Sequence, residues 1–412
     1  MNKRLKVAVF HFGFFYSGGG EKLVLEEAMS FRKAGWKVDL FAPIVEKDKC
    51  FPDLIDKVNV APIMPMLPSW FPRRDTIQVF MTCIFFPIFM PRYRHYDVVL
   101  GTNQPGIYFG FLLNKVYKIP YVAYVAQPLR LLHPRKVDEE TGLYLRYRMK
   151  FTPFILKYFR DAIDFLDRQS LKNAGKILAN GENSAEKIFR TYGIRASLCP
   201  AGAYPIKKVV PFSKRLKNPY ILLTNRHFPQ KRFEYAISAL SLITKRHPDI
   251  KLVITGEKTT YTQFLEELVI QLSLRDMVVF KGFVSEKECR KLYENALVYV
   301  YTAPEEDFGM GVIEAMACGT PVVAWNNGGP KFILNGELKR YLARPFSVSD
   351  FAQKIINIID GKSYRKISGQ CWKLVKDKYC YSSHNGLIYE DLLSVSNKIS
   401  RSGNDRQNAI DR

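Results

Sequence analysis

The chain has 412 residues, 47% hydrophobic and 25% charged, which is long enough for two globular domains and too apolar for a disordered polyelectrolyte. With 62 Lys and Arg against 39 Asp and Glu, its net charge of +23 points to phosphate-bearing ligands or an anionic membrane surface, and no zinc-finger motif, RNP-type motif or isolated basic arm points to nucleic acid. The seven cysteines, at 50, 83, 199, 289, 318, 371 and 380, are odd in number, scattered and never spaced C-x-x-C, which argues for a reducing cytoplasm and against a disulfide framework or a zinc site.

The basic start runs into Val7-Ala8-Val9-Phe10 but breaks at His11 and Gly13 with no small-residue cleavage site, so it reads as a first strand over 7–12 rather than a signal peptide. A loop over 13–20, an amphipathic helix over 21–34 and a strand over 36–42 complete a β-loop-α-β opening. Gly18-Gly19-Gly20-Glu21 stands at the strand-to-helix turn, where glycine lets a ligand approach the backbone and the helix start favours negative charge. The most apolar passage, 77–90, is flanked by Arg73, Arg74, Arg92 and Arg94 and interrupted by Pro87. It is too short to span a bilayer, leaving a buried domain helix or a segment dipping into one leaflet.

Strands follow over 97–101 and 121–126. Over 130–160, basic residues including Arg130, Arg135, Arg146, Arg148 and Arg160 interleave with aromatics such as Tyr144, Phe154 and Phe159, which suits anionic headgroups or is an ordinary solvated helix face. Residues 174–180 read as the last strand of the first domain, and Pro200, Gly202, Pro205 and Pro211 mark the linker.

The second half alternates regularly: strand 220–224, helix 232–245, strand 251–256, helix 260–274, strand 278–284 and helix 285–295. That is a parallel sheet with helices on both faces, whose ligands bind outside the carboxyl ends of the strands. Arg226 and Lys231 follow the first of these strands as a planar fork and a point charge, and the chain has no D-x-D of the kind that holds a metal. Over 304–330, PEEDFGMGVIEAMACGTPVVAWNNGGP sets Glu306 and Glu314 apart by seven residues. An Ala-rich helical run over 312–318 and a short buried strand over 322–324 follow. Glu306 falls on a loop above the helix start and Glu314 within the first turns, while the backbone N–H groups of 309–312 point outward as an anion site. Carboxylates accept hydrogen bonds from sugar hydroxyls, so the unit reads as a nucleotide-sugar site.

The stretch Glu306-Asp307-Phe308-Gly309-Met310-Gly311, followed by Glu314-Ala315-Met316-Ala317-Cys318-Gly319-Thr320-Pro321-Val322-Val323, resembles the E-x7-E signature of the retaining, GT-B-fold glycosyltransferases of family 4. The resemblance is strongest over 220–340. It implies that Glu306 hydrogen-bonds the hydroxyls of the donor sugar and Glu314 the ribose, and that Arg226 and Lys231 hold the diphosphate. It also places Gly18 and Gly19 at the donor phosphate across an interdomain cleft, Gly282, Phe283 and Val284 at the base, and Phe308, Gly309, Met310 and Gly311 beside the donor. Related mannosyltransferases carry Y-C-H-x-P-x-R after a first-domain strand. Here the frame is Tyr124-Val125-Ala126-Gln127-Pro128-Leu129-Arg130, with Ala126 where the histidine would stand and His133 out of register.

The expectation is thus an α/β protein of GT-B architecture, two doubly wound Rossmann-like domains facing across a cleft. Residues 1–205 form an acceptor-binding domain, 206–380 a nucleotide-sugar-binding domain, 381–396 a helix returning to the first domain and 397–412 a disordered tail. The expected reaction moves a hexose, mannose first, from GDP-mannose or a UDP-sugar to a glycan or lipid-linked acceptor, with no metal, at the cytoplasmic face of an anionic membrane. The alternative is a non-catalytic GT-B module that partners an active transferase.

Overall fold

Two parallel sheets carry the chain. The computed structural model describes residues 4–141 and 152–410, with side chains described over 4–141 and 157–397. The chain divides into two compact units. The first is Met1–His133, Lys150–Pro200 and Ser382–Arg412, and the second is Pro134–Met149 and Ala201–Tyr381.

In the first unit the strands are β1 (Lys6–Phe10), β2 (Lys37–Ala42), β3 (Asn59–Pro62), β4 (Val98–Thr102), β5 (Tyr121–Val125), β6 (Lys176–Ala179) and β7 (Ser197–Leu198), in the order β3-β2-β1-β4-β5-β6-β7. Every pairing is parallel. The direction of winding reverses between β1 and β4, which is where such sheets open a ligand crevice. The expected last strand is therefore next to last: β7 adds two residues, too few to carry a readable alternation. Helix Gly19–Lys33 begins two residues earlier than its apolar pattern suggests, because Gly18 is extended and both following glycines adopt helical backbone.

The apolar passage forms helix Arg74–Phe89, with Pro87 inside its last turn. Its buried stripe is Gln78, Thr82 and Phe86, continued by Met90, while Phe80, Ile84, Phe85 and Ile88 are exposed. The polar pair is satisfied internally. Gln78 Oε1 accepts from Leu67 N at 2.9 Å, its Nε2 donates to the Pro65 carbonyl at 3.3 Å, and Thr82 Oγ1 donates to the Gln78 carbonyl at 2.7 Å. The helix is thus half buried with its more apolar side outward, matching neither a fully buried domain helix nor a solvated one. Among the described residues no helix is long and apolar enough to cross a membrane. Helix Thr152–Lys172 packs, like Arg74–Phe89, against helix Asn103–Tyr117 and exposes Tyr158, Phe159 and Phe165. Arg146, Arg148 and Tyr144 of the basic, aromatic run lie outside the described residues.

The last helix, Tyr381–Ile410, packs its first half into the first unit. Tyr389 stacks on Trp36 at 4.1 Å, and His384 lies between Glu27 Oε1 and the Pro200 carbonyl, 2.9 Å from each. Helical backbone continues to Ile410, where a disordered tail was expected.

The second unit holds β8 (Tyr220–Thr224), β9 (Lys251–Thr255), β10 (Val278–Gly282), β11 (Val298–Tyr301), β12 (Val322–Trp325) and β13 (Leu342–Ala343), in the order β10-β9-β8-β11-β12-β13, again all parallel. Its switch point lies between β8 and β11. A buried arginine ties this sheet to its flanking turns. Arg215, 1% exposed, donates to the carbonyls of Ala296 (2.6 Å), Cys318 (3.1 Å) and Val210 (3.2 Å), and to Thr320 Oγ1 (2.6 Å) and Tyr364 OH (3.3 Å). All five acceptors are neutral, so the guanidinium is solvated by the protein, and removing it strands carbonyls in the interior. Arg215→Met should lower the unfolding free energy by about 3 kcal/mol, read as a lower urea midpoint at unchanged slope. A midpoint equal to the parent protein's would contradict this role.

Candidate functional site

The site forms at the carboxyl ends of β8 and β11. After Thr224 the chain turns through Asn225, Arg226 and His227 into the single 3-10 turn Pro229–Lys231, which brings Lys231 back over the strand ends. After Tyr301 the loop 302–309 carries Glu306 to meet it, with Lys231 Nζ 2.6 Å from Glu306 Oε2 and both side chains less than one-fifth exposed. The loop and the turn are joined twice. Thr302 Oγ1 donates to the Lys231 carbonyl at 2.9 Å, and Trp325 Nε1 on β12 donates to the Thr302 carbonyl at 2.7 Å. Burial pushes the Lys231 ammonium below the usual lysine range; Glu306 pulls it back up, while Arg135 and Arg226 push it down. Arg226 lies 4.9 Å over the Phe228 ring. Burial lowers the neighbouring His227 to about 4, so this ring is a neutral packing group that meets Thr262 Oγ1 at 3.0 Å.

The Glu306 loop owes its path to two glycines that the motif reading used only as a family mark. Gly328 has φ +59°, and a Cβ there would stand 2.6 Å from the Glu306 carbonyl oxygen and 2.7 Å from its nitrogen. At Gly329 a Cβ would meet the Phe308 carbonyl oxygen at 2.0 Å, and the Gly329 N–H donates to the Glu306 carbonyl at 2.6 Å. Backbone therefore lies directly on backbone, which only glycine permits.

Glu314 lies on helix Met310–Ala317, which Gly309 opens from the left-handed region at φ +114°. Tyr293 OH donates to Glu314 Oε2 at 3.2 Å and lies 2.7 Å from Thr224 Oγ1, which is in turn 3.0 Å from Tyr299 OH. Gly311 leaves room for that chain, since a Cβ there would stand 2.3 Å from the Tyr299 hydroxyl. The expectation of outward N–H groups over 309–312 fails at Val312, whose N–H donates to the Gly309 carbonyl at 3.0 Å. The Phe308 ring is buried against Tyr379, so its backbone rather than its ring faces the loop. Gly282, at φ +72°, ends edge strand β10 on the same carboxyl edge; Phe283 after it is exposed and Val284 half-buried.

Residues 207–370 match the family model for glycosyl transferases group 1. The second unit carries a glycosyltransferase domain. An uncharacterized glycosyltransferase of Methanocaldococcus jannaschii is 36% identical over 164 residues, 40% of this chain and 42% of that protein. The human alpha-1,3/1,6-mannosyltransferase ALG2 is 22% identical over 402 residues, 90% of this chain and 92% of that one. The crystal structure of Anabaena Alr3699/HepE in complex with UDP and glucose superposes with a TM-score of 0.72 at 17% identity, covering 95% of this chain and 100% of that one. The fold is GT-B, built of two Rossmann-like α/β domains.

Within the glycosyltransferase domain the structure brings together Lys231 and Glu306, while Glu314 is linked through Tyr293 to Thr224 at the end of β8. Gly18 and Gly19 belong to the other unit, at the start of its first helix. So does Ala126, just past β5, fixed by Asn103 Oδ1 on its N–H (2.8 Å) and Ser184 Oγ on its carbonyl (2.7 Å). His133 stays out of the histidine position, 3.9 Å from Asp164 Oδ1. The sequence reading passed over His11, buried just past β1 at that unit's switch point. Its Nδ1 is 2.7 Å from Thr102 Oγ1 and its Nε2 3.5 Å from Glu21 Oε1. Its signal was a histidine between a first strand and a glycine-rich turn. It also passed over Tyr293 and Tyr299, whose role needs Gly311 in three dimensions. Among the described residues no group of three or more His, Cys, Asp and Glu could hold a metal ion.

Gly328→Ala should cut donor-dependent turnover by at least about 100-fold, because displacing Glu306 by an ångström is enough for such a loss. Gly336→Ala is the control, with the same sign of φ (+54°) but nothing within 4 Å of its Cβ. Equal turnover of the two variants, with matching circular dichroism, would remove the role given to the glycine contact.

Proposed function

We propose that the protein is a retaining hexosyltransferase that moves mannose from GDP-mannose to a hydroxyl of a glycan or lipid-linked acceptor. The observation that carries this reading is the Lys231–Glu306 pair at the switch point of a glycosyltransferase domain, a cation and a carboxylate held 2.6 Å apart with little access to water. A nucleoside diphosphate sugar presents both groups these residues can exchange for one another, phosphate oxygens for Lys231 and Arg226 and hydroxyls for Glu306. In the reaction the bond from the anomeric carbon to the diphosphate oxygen breaks and the acceptor oxygen bonds to that carbon on the same face. The acceptor's proton passes to the departing diphosphate. The chain contributes positioning and charge stabilisation on the leaving oxygens. Glu314, braced by Tyr293, is assigned to the ribose. Gly18 and Gly19 are assigned to the donor phosphate, and Gly282, Phe283 and Val284 to the base.

Mannose rests on the nearly full-length likeness to the human mannosyltransferase, while the UDP and glucose of the Anabaena structure favour a UDP-sugar as the second reading. A panel of GDP- and UDP-sugars, assayed for thermal stabilisation and turnover in EDTA, decides between them. Activity is expected to persist in the chelator. Glu306→Gln should lower kcat more than it weakens donor binding, and Glu314→Ala the reverse. Glu306→Gln as active as the parent protein, or loss in EDTA restored by manganese, would sink the assignment.

The acceptor's lipid and the charge of +23 belong to one reading, reversible attachment of the first unit to an anionic membrane. Its support is helix Arg74–Phe89, with Phe80, Ile84 and Ile88 exposed between Arg73 and Arg92. Each Lys or Arg near such a surface contributes about 1 kcal/mol, screened beyond about 8 Å at physiological ionic strength. In liposome flotation the protein should rise with anionic vesicles at low salt and be partly released at high salt. Ile84→Glu with Ile88→Glu should abolish the salt-resistant fraction. A protein that stays in solution with anionic vesicles at low salt contradicts the attachment.

A further inference from the structure

The chain leaves the first unit at His133 and enters the second as residues 134–141, a strap built on the short helix Lys136–Glu140. The strap is pinned to the glycosyltransferase domain at two points just after Arg135 in the chain. The Val137 N–H donates to Glu305 Oε2 at 3.3 Å, one residue before Glu306, and Arg232 Nη2, one residue after Lys231, lies 2.9 Å from Glu140 Oε2. Val137 and Asp138 are buried, and Arg135 is gripped by Asp138 through two parallel bonds, Nε to Oδ2 at 2.8 Å and Nη2 to Oδ1 at 2.7 Å. The guanidinium stays protonated in the field of Glu306, Asp307 and Asp138. Sequence alone had grouped Arg135 with the headgroup-binding run, yet its side chain is 13% exposed and paired with Asp138.

We propose that Arg135 is a third cation of the diphosphate site, delivered to the Glu306 loop by the strap and acting beside Lys231 and Arg226. This rests on the donor-site reading above. The argument is one of charge and of stiffness. Lys231 is paired with Glu306 and Arg135 with Asp138, and a diphosphate entering beside them draws Lys231 from Glu306, releasing Glu306 to the sugar hydroxyls, and meets the guanidinium through the N–H groups not spent on Asp138. Asp138 supplies what a free arginine lacks. With two donors fixed on Asp138 and the side chain nearly buried, the fork is oriented before the ligand arrives, so little side-chain entropy is lost on binding. Glu305 and Arg232 fasten the strap at Val137 and Glu140, which ties the segment that carries Arg135 to the Glu306 loop and the Lys231 turn.

The test is titration of the full chain with GDP, UDP, GMP and UMP. Arg135→Gln should bind the preferred nucleoside diphosphate about tenfold more weakly, with unchanged affinity for the monophosphate. In the transfer assay donor KM should rise more than kcat falls. Arg135→Lys, which keeps the charge and loses the fork, should lie between the two, and it serves as the readout if Arg135→Gln does not fold. Equal diphosphate affinity in Arg135→Gln, or in Arg135→Lys where that is the folded variant, would overturn the proposal while leaving the donor site standing. An equal loss of monophosphate and diphosphate affinity, together with a lower Tm, would make Arg135 a purely structural strut and overturn it as well. Failure of the parent protein to bind any of the four nucleotides would overturn the donor-site reading and this inference together.

Discussion

The ion pair between Lys231 and Glu306 sets the terms for the second unit. Two opposite charges 2.6 Å apart and largely removed from water gain strongly from one another, but only if each is held in place, since a buried partner left alone is costly. The surrounding structure can be read as that restraint. The 3-10 turn that carries Lys231 is fastened to the Glu306 loop by Thr302, Thr302 is fastened to β12 by Trp325, and the loop is pressed from the other side by Gly328 and Gly329. Behind these, Arg215 joins the turn after helix Met310–Ala317 to the carbonyl of Ala296, where β11 is about to begin. Hydrogen bonds between loops thus replace the ladder bonds that end with the strands.

How much of this the sequence revealed depended on whether the information was local. The alternation of apolar runs with helical periods located β1, β2, β4, β5, β6, β8, β9, β10 and β12 to within about two residues, because most of them read as continuous apolar runs, but it gave no strand at β3, β11 or β13. Glu306, Glu314, Arg226 and Lys231 were legible because motif spacing survives in one dimension. What was not legible is what the fold creates by contact. The pairing of Lys231 with Glu306 joins residues 75 positions apart, and the grip of the strap on Glu305 joins residues 168 apart. β7, two residues long, carries no period at all. The boundary between units failed to show the excursion at 134 because Pro134 and Arg135 read equally well as part of a basic helical surface.

The first unit shows a different compromise. Helix Arg74–Phe89 sends Gln78 and Thr82 inward and Ile84 and Ile88 outward, against the usual direction of burial. The inward residues cost little because Gln78 closes the loop at Pro65 and Leu67 and Thr82 bonds back along its own helix. The outward ones gain nothing from the fold, so the stability of the unit does not explain their choice. The core beneath does not need them either, since Phe10, Phe86, Tyr93 and Phe109 already form a packed aromatic cluster there, with Phe86 and Phe109 4.4 Å apart.

The two switch points divide the chemistry. At the first sheet the groups beyond β1 and β4 are His11, Thr102 and Glu21, a set that holds one carboxylate against a single titratable ring. At the second sheet the groups beyond β8 and β11 include two cations and two acids, with a third cation brought in by the strap. A polyanion suits the second set better, because cations already fixed in place cost little to reorganise when phosphates arrive. Ala126, where the sequence frame has a histidine in related proteins, lies elsewhere on the first sheet's edge, just past β5. The position's backbone is already spent on Asn103 and Ser184, and the imidazole of this edge stands two strands away, at the end of β1.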